Sequence, residues 1–399
     1  MNIACKDNLV KYKACTELLI IVLAVIFIST KTASCGADEQ QSFIVDGGQP
    51  YKGLMPSIQV DDAGLLHICF FNVYYDNSTA VKYADLKYVT FQNGKIVSDW
   101  VIDMIYGFDV WSNGGSYLAL ALDKAGLPHV AYYNGTTKDL KYAYFDNTSW
   151  HKETVISGGA GPYVSLALDS NDMPHISYYD AKNASLKYVY NNGLQWKPET
   201  VDTPGDADTK SEQTSGVGKY NSLKIDKTGV SHIAYYDEIN GNAKYAFKDI
   251  SGWHLETVDE RGNTGISASL DIDNSTNNPH IAYYRILEGV LFPFQYLGLG
   301  YKVKVNGEWT MPYPPVFMSI PSFDNTYDAH ELFCSLKLDS RCKPRISYFN
   351  PSLWRVELTS VKVLPIKINL DPAPWANAGP YNCLAIDKND TAYIAIFAR

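Results

Sequence analysis

Acidic and aromatic side chains are concentrated in three long polar segments, residues 103–116, 202–220 and 311–333, and in a fourth around Trp375. Sugars stack their C–H faces on aromatic rings and direct their hydroxyl groups at carboxylates, so this mixture predicts a sugar-binding surface. The alternative is that each side chain packs locally within its loop, with the acids solvated. The candidate ligand-binding residues are Tyr106, Asp109, Trp111, His330 and Trp375.

Residues 324–331 also contain groups that could catalyse a reaction. A glycoside hydrolase needs two carboxylates about 5–10 Å apart, which two of Asp324, Asp328 and Glu331 could supply. A polysaccharide lyase needs a His or Tyr base, and His330 is the best candidate. We expect a non-catalytic binding protein for a glycan or another surface polymer, with a lyase or glycosidase on the same face as the alternative. A third possibility, a protein–protein scaffold, predicts a broad apolar patch instead of a polar pocket.

Evidence for a metal or cofactor is confined to one segment. Asp206, Asp208 and Glu212 could supply hard oxygen ligands for calcium, although a loop of this polarity can equally be solvated. No other cofactor is indicated, and the absence of C-x-x-C leaves a zinc site without support. Beyond residue 37 there are four cysteines, too few for a disulfide framework: Cys69, Cys334, Cys342 and Cys383.

One unit recurs seven times and must position these segments. Its Asp recurs with a mean period of about 54 residues, and a small side chain stands four residues earlier. The apolar residues between them alternate, which predicts a strand with one buried face. The seven Asp are Asp61, Asp123, Asp169, Asp226, Asp273, Asp339 and Asp387, and the small residues are Ser57, Ala119, Ser165, Ser222, Ser269, Ser335 and Cys383.

Three further strands are expected after each repeated Asp except Asp387, which is followed only by the second strand, so that either this blade is short or the natural chain is longer. A tight turn leads to a strand that ends in paired aromatics, the next contains Leu-Lys-Tyr or a similar triplet, and the fourth contains Trp-x-x-Glu-Thr-Val, as at 150–155. Four antiparallel strands per repeat and seven repeats predict an all-β chain, a seven-bladed β-propeller. Residues 43–46 match the end of a fourth strand, so we expect them to return to the seventh blade and close the ring.

Recurrence separates structural residues from functional ones. Five histidines occupy one repeat position, where Arg345 and Tyr393 replace them in the last two repeats, so we interpret them as hydrogen-bonding groups near the turn. An aromatic residue two positions before the small one recurs as well, which favours packing near the mouth of the channel. The histidines are His67, His129, His175, His232 and His280; the aromatics are Tyr117, Tyr163, Tyr220, Phe333 and Tyr381.

Over roughly residues 43–399 the chain resembles the secreted bacterial propellers of the sialidase-like and lectin-like superfamily. The resemblance lies in the architecture. The sialidase Asp-box, Ser-x-Asp-x-Gly-x-Thr-Trp, is absent, because Gly or Pro and then His follow the repeated Asp. No sialidase residue can therefore be assigned here.

The N-terminal segment has the anatomy of a signal peptide. Eleven apolar residues, 18–28, follow three lysines and precede small residues, and as a helix they span only about 16 Å. We expect cleavage after Ala37, a propeller domain over residues 38–399, and a secreted or cell-envelope location. One alternative is lipidation at Cys35, which would then attach the protein to the membrane. The other is a retained signal anchor.

Charge also limits the partners. The chain has a net charge of −9, and because residues 1–37 carry +2, the remainder carries −11. A nucleic-acid partner is therefore not expected. We expect a monomer that binds a glycan or a cell-surface polymer, or else a protein.

Overall fold

The computed structural model describes residues 23–30, 39–46, 52–76, 81–106, 118–205, 215–288, 295–312, 316–318, 332–350, 355–360 and 378–398. These residues form antiparallel strands, and the described part of the chain contains no helix, hence no helix that could cross a membrane. Strands of the first two repeats and of the N-terminal segment are β1 (Leu23–Thr30), β2 (Glu39–Asp46), β3 (Lys52–Val60), β4 (Leu66–Asp76), β5 (Val81–Gln92), β6 (Lys95–Tyr106), β7 (Leu118–Leu122), β8 (Pro128–Asn134), β9 (Asp139–Phe145) and β10 (Trp150–Ile156).

The third, fourth and fifth repeats follow the same order. Their strands are β11 (Ala160–Leu168), β12 (Pro174–Asp180), β13 (Ser185–Asn191), β14 (Trp196–Asp202), β15 (Val217–Ile225), β16 (Ser231–Asp237), β17 (Asn242–Asp249), β18 (Gly252–Asp259), β19 (Asn263–Ile272), β20 (Pro279–Glu288), β21 (Gln295–Val305), β22 (Glu308–Thr310) and β23 (Val316–Met318). The remaining strands are β24 (Cys334–Leu338), β25 (Pro344–Asn350), β26 (Arg355–Ser360), β27 (Ala378–Ile386) and β28 (Ala392–Ala398).

Sheets 1 to 4 contain β3–β6, β7–β10, β11–β14 and β15–β18, and sheet 5 contains β19–β22 with β23 beside β21. Sheet 6 contains β24–β26, and sheet 7 has the order β2-β1-β28-β27. The first strands of successive sheets contact one another, and β27 contacts β3, so the ring closes. The fold is an all-β propeller of antiparallel blades, with the first strand of each sheet innermost.

The prediction of seven four-stranded blades was wrong. Six sheets have four or more strands and are complete blades, whereas sheet 6 has three in the described residues. The sequence after β26 contains no Trp-x-x-Glu-Thr-Val and has Pro365, Pro372 and Pro374 instead. Because proline has no N–H to donate to a ladder, this segment is poorly suited to a fourth strand.

Sheet 7 is closed by the N-terminal segment. The outer strand β2 includes residues 43–46, as the sequence predicts, and its neighbour β1 pairs with β28 from Leu23 opposite Ala398 to Ser29 opposite Ala392. Thus β1 is the third strand of sheet 7, counted outward from β27. Cleavage after Ala37 would remove β1 and leave β2, so the predicted signal peptide and this strand use the same residues. Signal cleavage stays a prediction.

The repeated Asp ends each inner strand with a tight turn. In the first sheet, Oδ1 of Asp61 accepts hydrogen bonds from the amides of Ala63 at 2.9 Å and Leu65 at 2.8 Å. The carboxylate thus satisfies backbone donors that the turn leaves unpaired, which explains why an Asp stands there in every repeat. We call this end of the ring the turn face. The opposite end, where the inner strands begin and the connections between sheets lie, is the loop face.

Candidate functional site

A cavity of about 170 Å³ lies among the inner strands. Ligand pockets for drug-sized molecules usually enclose roughly 300–1,000 Å³, so this cavity could hold one end of a ligand and not a whole oligosaccharide. Its lining combines hydroxyl, amide, thiol and aromatic groups. Residues from several sheets contribute, including Met55, Asn221, Ser267, Phe333, Tyr381 and Asn382.

The small repeat residues hold neighbouring sheets together around this cavity. The hydroxyl oxygen of Ser222 accepts a hydrogen bond from the amide of Leu270 in the next sheet, at 3.1 Å. Ala119 has no hydroxyl group, so the step from sheet 2 to sheet 3 lacks this bond. The same bond occurs from Leu120 to Ser57, from Leu223 to Ser165, from Leu336 to Ser269 and from Leu384 to Ser335.

Four of the repeated aromatic residues form an arc at the cavity. The ring centroids of Tyr163 and Tyr220 are 4.6 Å apart, those of Phe333 and Tyr381 are 4.6 Å apart, and those of Tyr220 and Phe333 are 6.3 Å apart. In sheet 5 the equivalent residue is Ser267, whose small side chain leaves room for Tyr220 and Phe333 to meet. The three tyrosines are buried and Phe333 is half-buried. The predicted packing role is therefore confirmed for these four, whereas Tyr117 lies outside the described residues.

The backbone at this arc is strained. Tyr163 and Tyr220 have φ values of 72° and 50°, and the equivalent Met55 and Ser267 have 55° each. All four lie where the pairing of the inner strand with the second strand is interrupted by a bulge. A left-handed conformation at a residue other than glycine costs on the order of 1–3 kcal/mol and is concentrated at functional sites. Because this conformation recurs at four equivalent positions it belongs to the repeat, and the candidate site is the polar lining at the loop-face end of the cavity.

A glycine two residues before an aromatic permits this bend. Gly218 has a φ of 105°, and a Cβ atom there would lie 2.7 Å from the Cα atom of Leu186 in the preceding sheet. Only glycine accommodates both the backbone conformation and the close approach. The sequence pattern of Gly and aromatic therefore marks the start of the inner strand.

The five repeated histidines are structural, as predicted. Nδ1 of His67 hydrogen-bonds the Tyr88 hydroxyl at 2.6 Å, and its Nε2 lies 3.5 Å from Oδ2 of Asp61. Burial lowers the pKa of His67, and Asp61 only partly opposes this, so the neutral imidazole is favoured. The other histidines hydrogen-bond Tyr142, Tyr188, Tyr245 and Tyr301 in the same way.

The residues that replace histidine contact the same Asp. Nε of Arg345 lies 3.6 Å from Oδ2 of Asp339, and the Tyr393 hydroxyl donates to Oδ2 of Asp387 at 3.1 Å. Three different side chains thus perform one task, support for the carboxylate that shapes the turn.

The repeated tryptophans pack between sheets. Trp253 lies edge-on to Tyr188 of the preceding sheet with centroids 5.0 Å apart, and its Nε1 donates to Glu199 at 2.9 Å. Trp309 repeats both contacts with Tyr245 and Glu256. These tryptophans therefore stabilise the contacts between neighbouring sheets.

The sequence-predicted site residues cannot be compared with this geometry. Tyr106 ends β6, and nothing is described of its side chain. Trp111, Asp109, Trp375, His330, Asp324, Asp328, Glu331, Asp206, Asp208 and Glu212 lie outside the described residues. Within the described ranges, no group of three or more His, Cys, Asp or Glu side chains could hold a metal ion.

Two cavity residues were missed by the sequence analysis. Asn221 donates to the carbonyl oxygen of Tyr163 at 2.7 Å, and Asn382 donates to that of Phe333 at 2.7 Å. Each thereby fixes the backbone of an aromatic in the preceding sheet. They follow Tyr220 and Tyr381 directly, so the pair Tyr-Asn in two repeats was the available signal.

No family model and no curated protein matches this sequence. Several solved structures have a similar fold. The SapL1 lectin in complex with alpha-methyl fucoside is 11% identical over 80% of this chain and 97% of its own, with a TM-score of 0.48. The Aleuria aurantia lectin is 14% identical over 82% of this chain and all of its own, with a TM-score of 0.42.

A polysaccharide lyase of the ulvan lyase type is also similar. It is 11% identical over 86% of this chain and 91% of its own, with a TM-score of 0.49. At identities of this size the likeness concerns the fold alone. The chain is a β-propeller whose structural neighbours include lectins and polysaccharide lyases.

Proposed function

We propose that this chain is an exported propeller that binds a glycan or another surface polymer at its loop face without cleaving it. The observation that carries the proposal is the cavity itself, which is lined by Tyr220, Phe333 and Tyr381 together with Asn221 and Asn382. Aromatic faces next to hydroxyl and amide groups suit sugars. Rigid strands hold these groups in place, which lowers the ordering cost of binding.

The cavity is small, so most of the ligand must be bound by the long connections around it. Trp111, Tyr106, Asp109, Trp375 and His330 belong to those connections by sequence and are the proposed contact residues. Loops on a rigid scaffold commonly carry binding sites.

A glycan array followed by polymer pull-down tests this function. We expect Trp111→Ala and Trp375→Ala to weaken binding about tenfold or more, because buried aromatic anchors dominate such interfaces. The matched control is Trp100→Ala, since Trp100 lies on the outer strand β6 with 43% of its surface exposed. Equal losses in all three variants, or no binding to any glycan, would contradict the proposal. Repeating the array with a chelator tests whether Asp206, Asp208 and Glu212 bind calcium.

A lyase or glycosidase at the same face is the alternative. New reducing ends, or new unsaturated sugar ends, from a polymer that the chain binds would favour it. His330→Ala would then abolish turnover and spare binding. If the chain is a glycosidase, replacing two of Asp324, Asp328 and Glu331 would abolish turnover and spare binding.

An exposed apolar strip favours a protein-binding role as a further candidate. It lies on the outer strand of sheet 1, where Val97 is 62% exposed and Val101 is 51% exposed, with Ile96, Trp100 and Met104 beside them. An exposed apolar edge strand can pair with another chain. If the strip binds a partner, Val97→Lys with Val101→Lys removes that interaction and leaves glycan binding intact.

Export is part of the proposal and has its own test. The secreted protein should begin at Asp38, or carry a lipid at Cys35 if the segment is a lipoprotein signal. An intact N-terminus on the exported protein would instead favour a retained anchor or a permanent β1 strand.

A further inference from the structure

Tyrosine, lysine and aspartate form a repeated ion-pair cluster near the loop face. In sheet 2, Asp103 from the preceding outer strand accepts hydrogen bonds from Tyr132 at 2.7 Å and Lys141 at 2.7 Å. In sheet 4, Tyr235 and Lys244 contact Asp202 in the same way. In both clusters the lysine therefore forms an ion pair with the aspartate of the preceding sheet.

Sheet 5 departs from this pattern. Its carboxylate, Asp259, accepts the Tyr283 hydroxyl at 2.7 Å, but its other side-chain contacts are with Arg261, whose Nε and Nη2 lie 2.8 Å and 3.1 Å away. Gly300 occupies the position of Lys141 and Lys244, opposite the tyrosine of the second strand, and Lys302 lies two residues further along β21. Arg261 therefore forms the ion pair with Asp259, and Lys302 forms none with another described residue.

A second cation is added at the same place. Arg285 follows the paired tyrosines of β20, where sheets 3 and 4 have Asp180 and Asp237. It is 6% exposed, its Nη2 lies 3.5 Å from the carbonyl oxygen of Arg261, and its buried Nε has no partner within the described part of the chain. A guanidinium stays protonated, so it cannot escape the cost of burial by losing its charge.

The pKa of Lys302 reflects the same excess of positive charge. Burial lowers the pKa of Lys302, Asp259 opposes that effect, and Arg261 and Arg285 add to it. Arg261 and Lys302 thus interact with Asp259, and Arg285 adjoins both of these cations, in a chain whose net charge is −9. A local positive excess of this kind is the chemistry of an anion site.

We propose that Arg285, Lys302 and Arg261 form a subsite for the carboxylate or sulfate ester of an acidic glycan. The subsite rests on the proposed glycan-binding function and names its substrate class. Arg285 pairs with Thr264 in β19, and Ser267, three residues further along that strand, lines the cavity. An acidic sugar at the subsite therefore lies beside the candidate site. The planar fork of Arg285 suits two-point contact with either anion.

Binding of dextran sulfate, polygalacturonate and neutral dextran at one ionic strength tests the subsite. We expect Arg285→Gln and Lys302→Gln to weaken binding of the acidic polymers about tenfold or more, since each removes one cation of the subsite. Arg261 is left unchanged, because its loss would free Asp259 for Lys302. The control is Arg341→Gln, an arginine at the turn face whose side chain is 59% exposed. If Arg285→Gln fails to fold, Lys302→Gln decides.

The outcomes separate the subsite from the proposed function. Loss for dextran sulfate only identifies a sulfate ester, loss for polygalacturonate only identifies a carboxylate, and loss for both supports their shared chemistry. Preference for neutral glycans, or acidic binding that Arg285→Gln and Lys302→Gln leave unchanged, overturns the subsite and keeps the function. If no glycan binds, a thermal shift with inorganic sulfate that Arg285→Gln abolishes keeps the anion site and overturns the function.

Discussion

Nδ1 of His67 lies 2.6 Å from the hydroxyl oxygen of Tyr88 on the third strand of the same sheet. The pair recurs in five sheets, each time beside the Asp of the turn. A group that resembles a catalytic Asp–His pair is thus a repeated part of the ring. Its repetition assigns these histidines to stability, and that assignment can be measured.

Replacing one repeated histidine should destabilise the ring. We expect His175→Ala to lower the free energy of unfolding by about 1–3 kcal/mol, because the buried Tyr188 hydroxyl loses its bond to the imidazole and keeps only the one to Ser231. His254→Ala is the matched control, since that side chain is 42% exposed. Urea unfolding measures both. Equal stability of H175A and the parent would mean that the His–Tyr pair contributes nothing.

Acid should weaken the fold before the carboxylates titrate. Burial lowers the folded-state pKa of each repeated histidine below 6.5, and the neighbouring Asp only partly opposes this. Between the folded-state pKa values and pH 6.5 the unfolded chain therefore binds more protons than the folded protein. Stability is then complete above about pH 6.5 and declines as the pH falls toward the folded-state pKa values.

Melting temperatures between pH 7.5 and 5 measure this decline. His175→Ala removes one of these titrating groups, so the slope of the unfolding free energy against pH should fall by about 1.4 kcal/mol per pH unit at most. A melting temperature that is constant or rises over this range would show that the histidines are not held neutral.

The serine hydroxyls should hold adjacent sheets together. Ser222→Ala removes the acceptor of the Leu270 amide, and we expect a loss of about 0.5–1.5 kcal/mol in unfolding free energy. Ser170→Ala, in an exposed turn, is the control. The opposite change, Ala119→Ser, should add the bond that is missing between sheets 2 and 3. If Ser222→Ala and Ser170→Ala unfold alike, the hydroxyl does not couple the sheets.

Deleting the outer strand β2 should open sheet 7. In a chain that keeps residues 1–37, removal of residues 38–48 takes away β2 and exposes the unpaired edge of β1. We expect association on size-exclusion chromatography or a lower melting temperature, because an exposed edge pairs with other chains. Truncation of residues 1–22 keeps both strands and serves as the comparison. A monomer with unchanged melting would mean that β2 contributes nothing to closure.

Repetition accounts for what the sequence could and could not predict. Asp61 and its equivalents located the turns, and the five histidines were assigned correctly because they recur. The β1 strand was missed because a short apolar run has no period that separates a strand from a signal peptide. Sheet 6 was overcounted because its first strands match the repeat and its fourth does not. Arg285 was not predicted because it lies within a strand of the repeat and not in a long connection, and its one signal was a cation where other repeats have Asp180 and Asp237.

The central claim is that a glycan binds at the loop face. A crystal structure of the protein with an oligosaccharide chosen from the array tests it most directly. The account predicts sugar density in contact with Trp111 or Trp375, directed toward Phe333, Tyr381 and the cavity. Sugar density at the turn face beside the Asp61 turn, or along the outer strand β6, would contradict it.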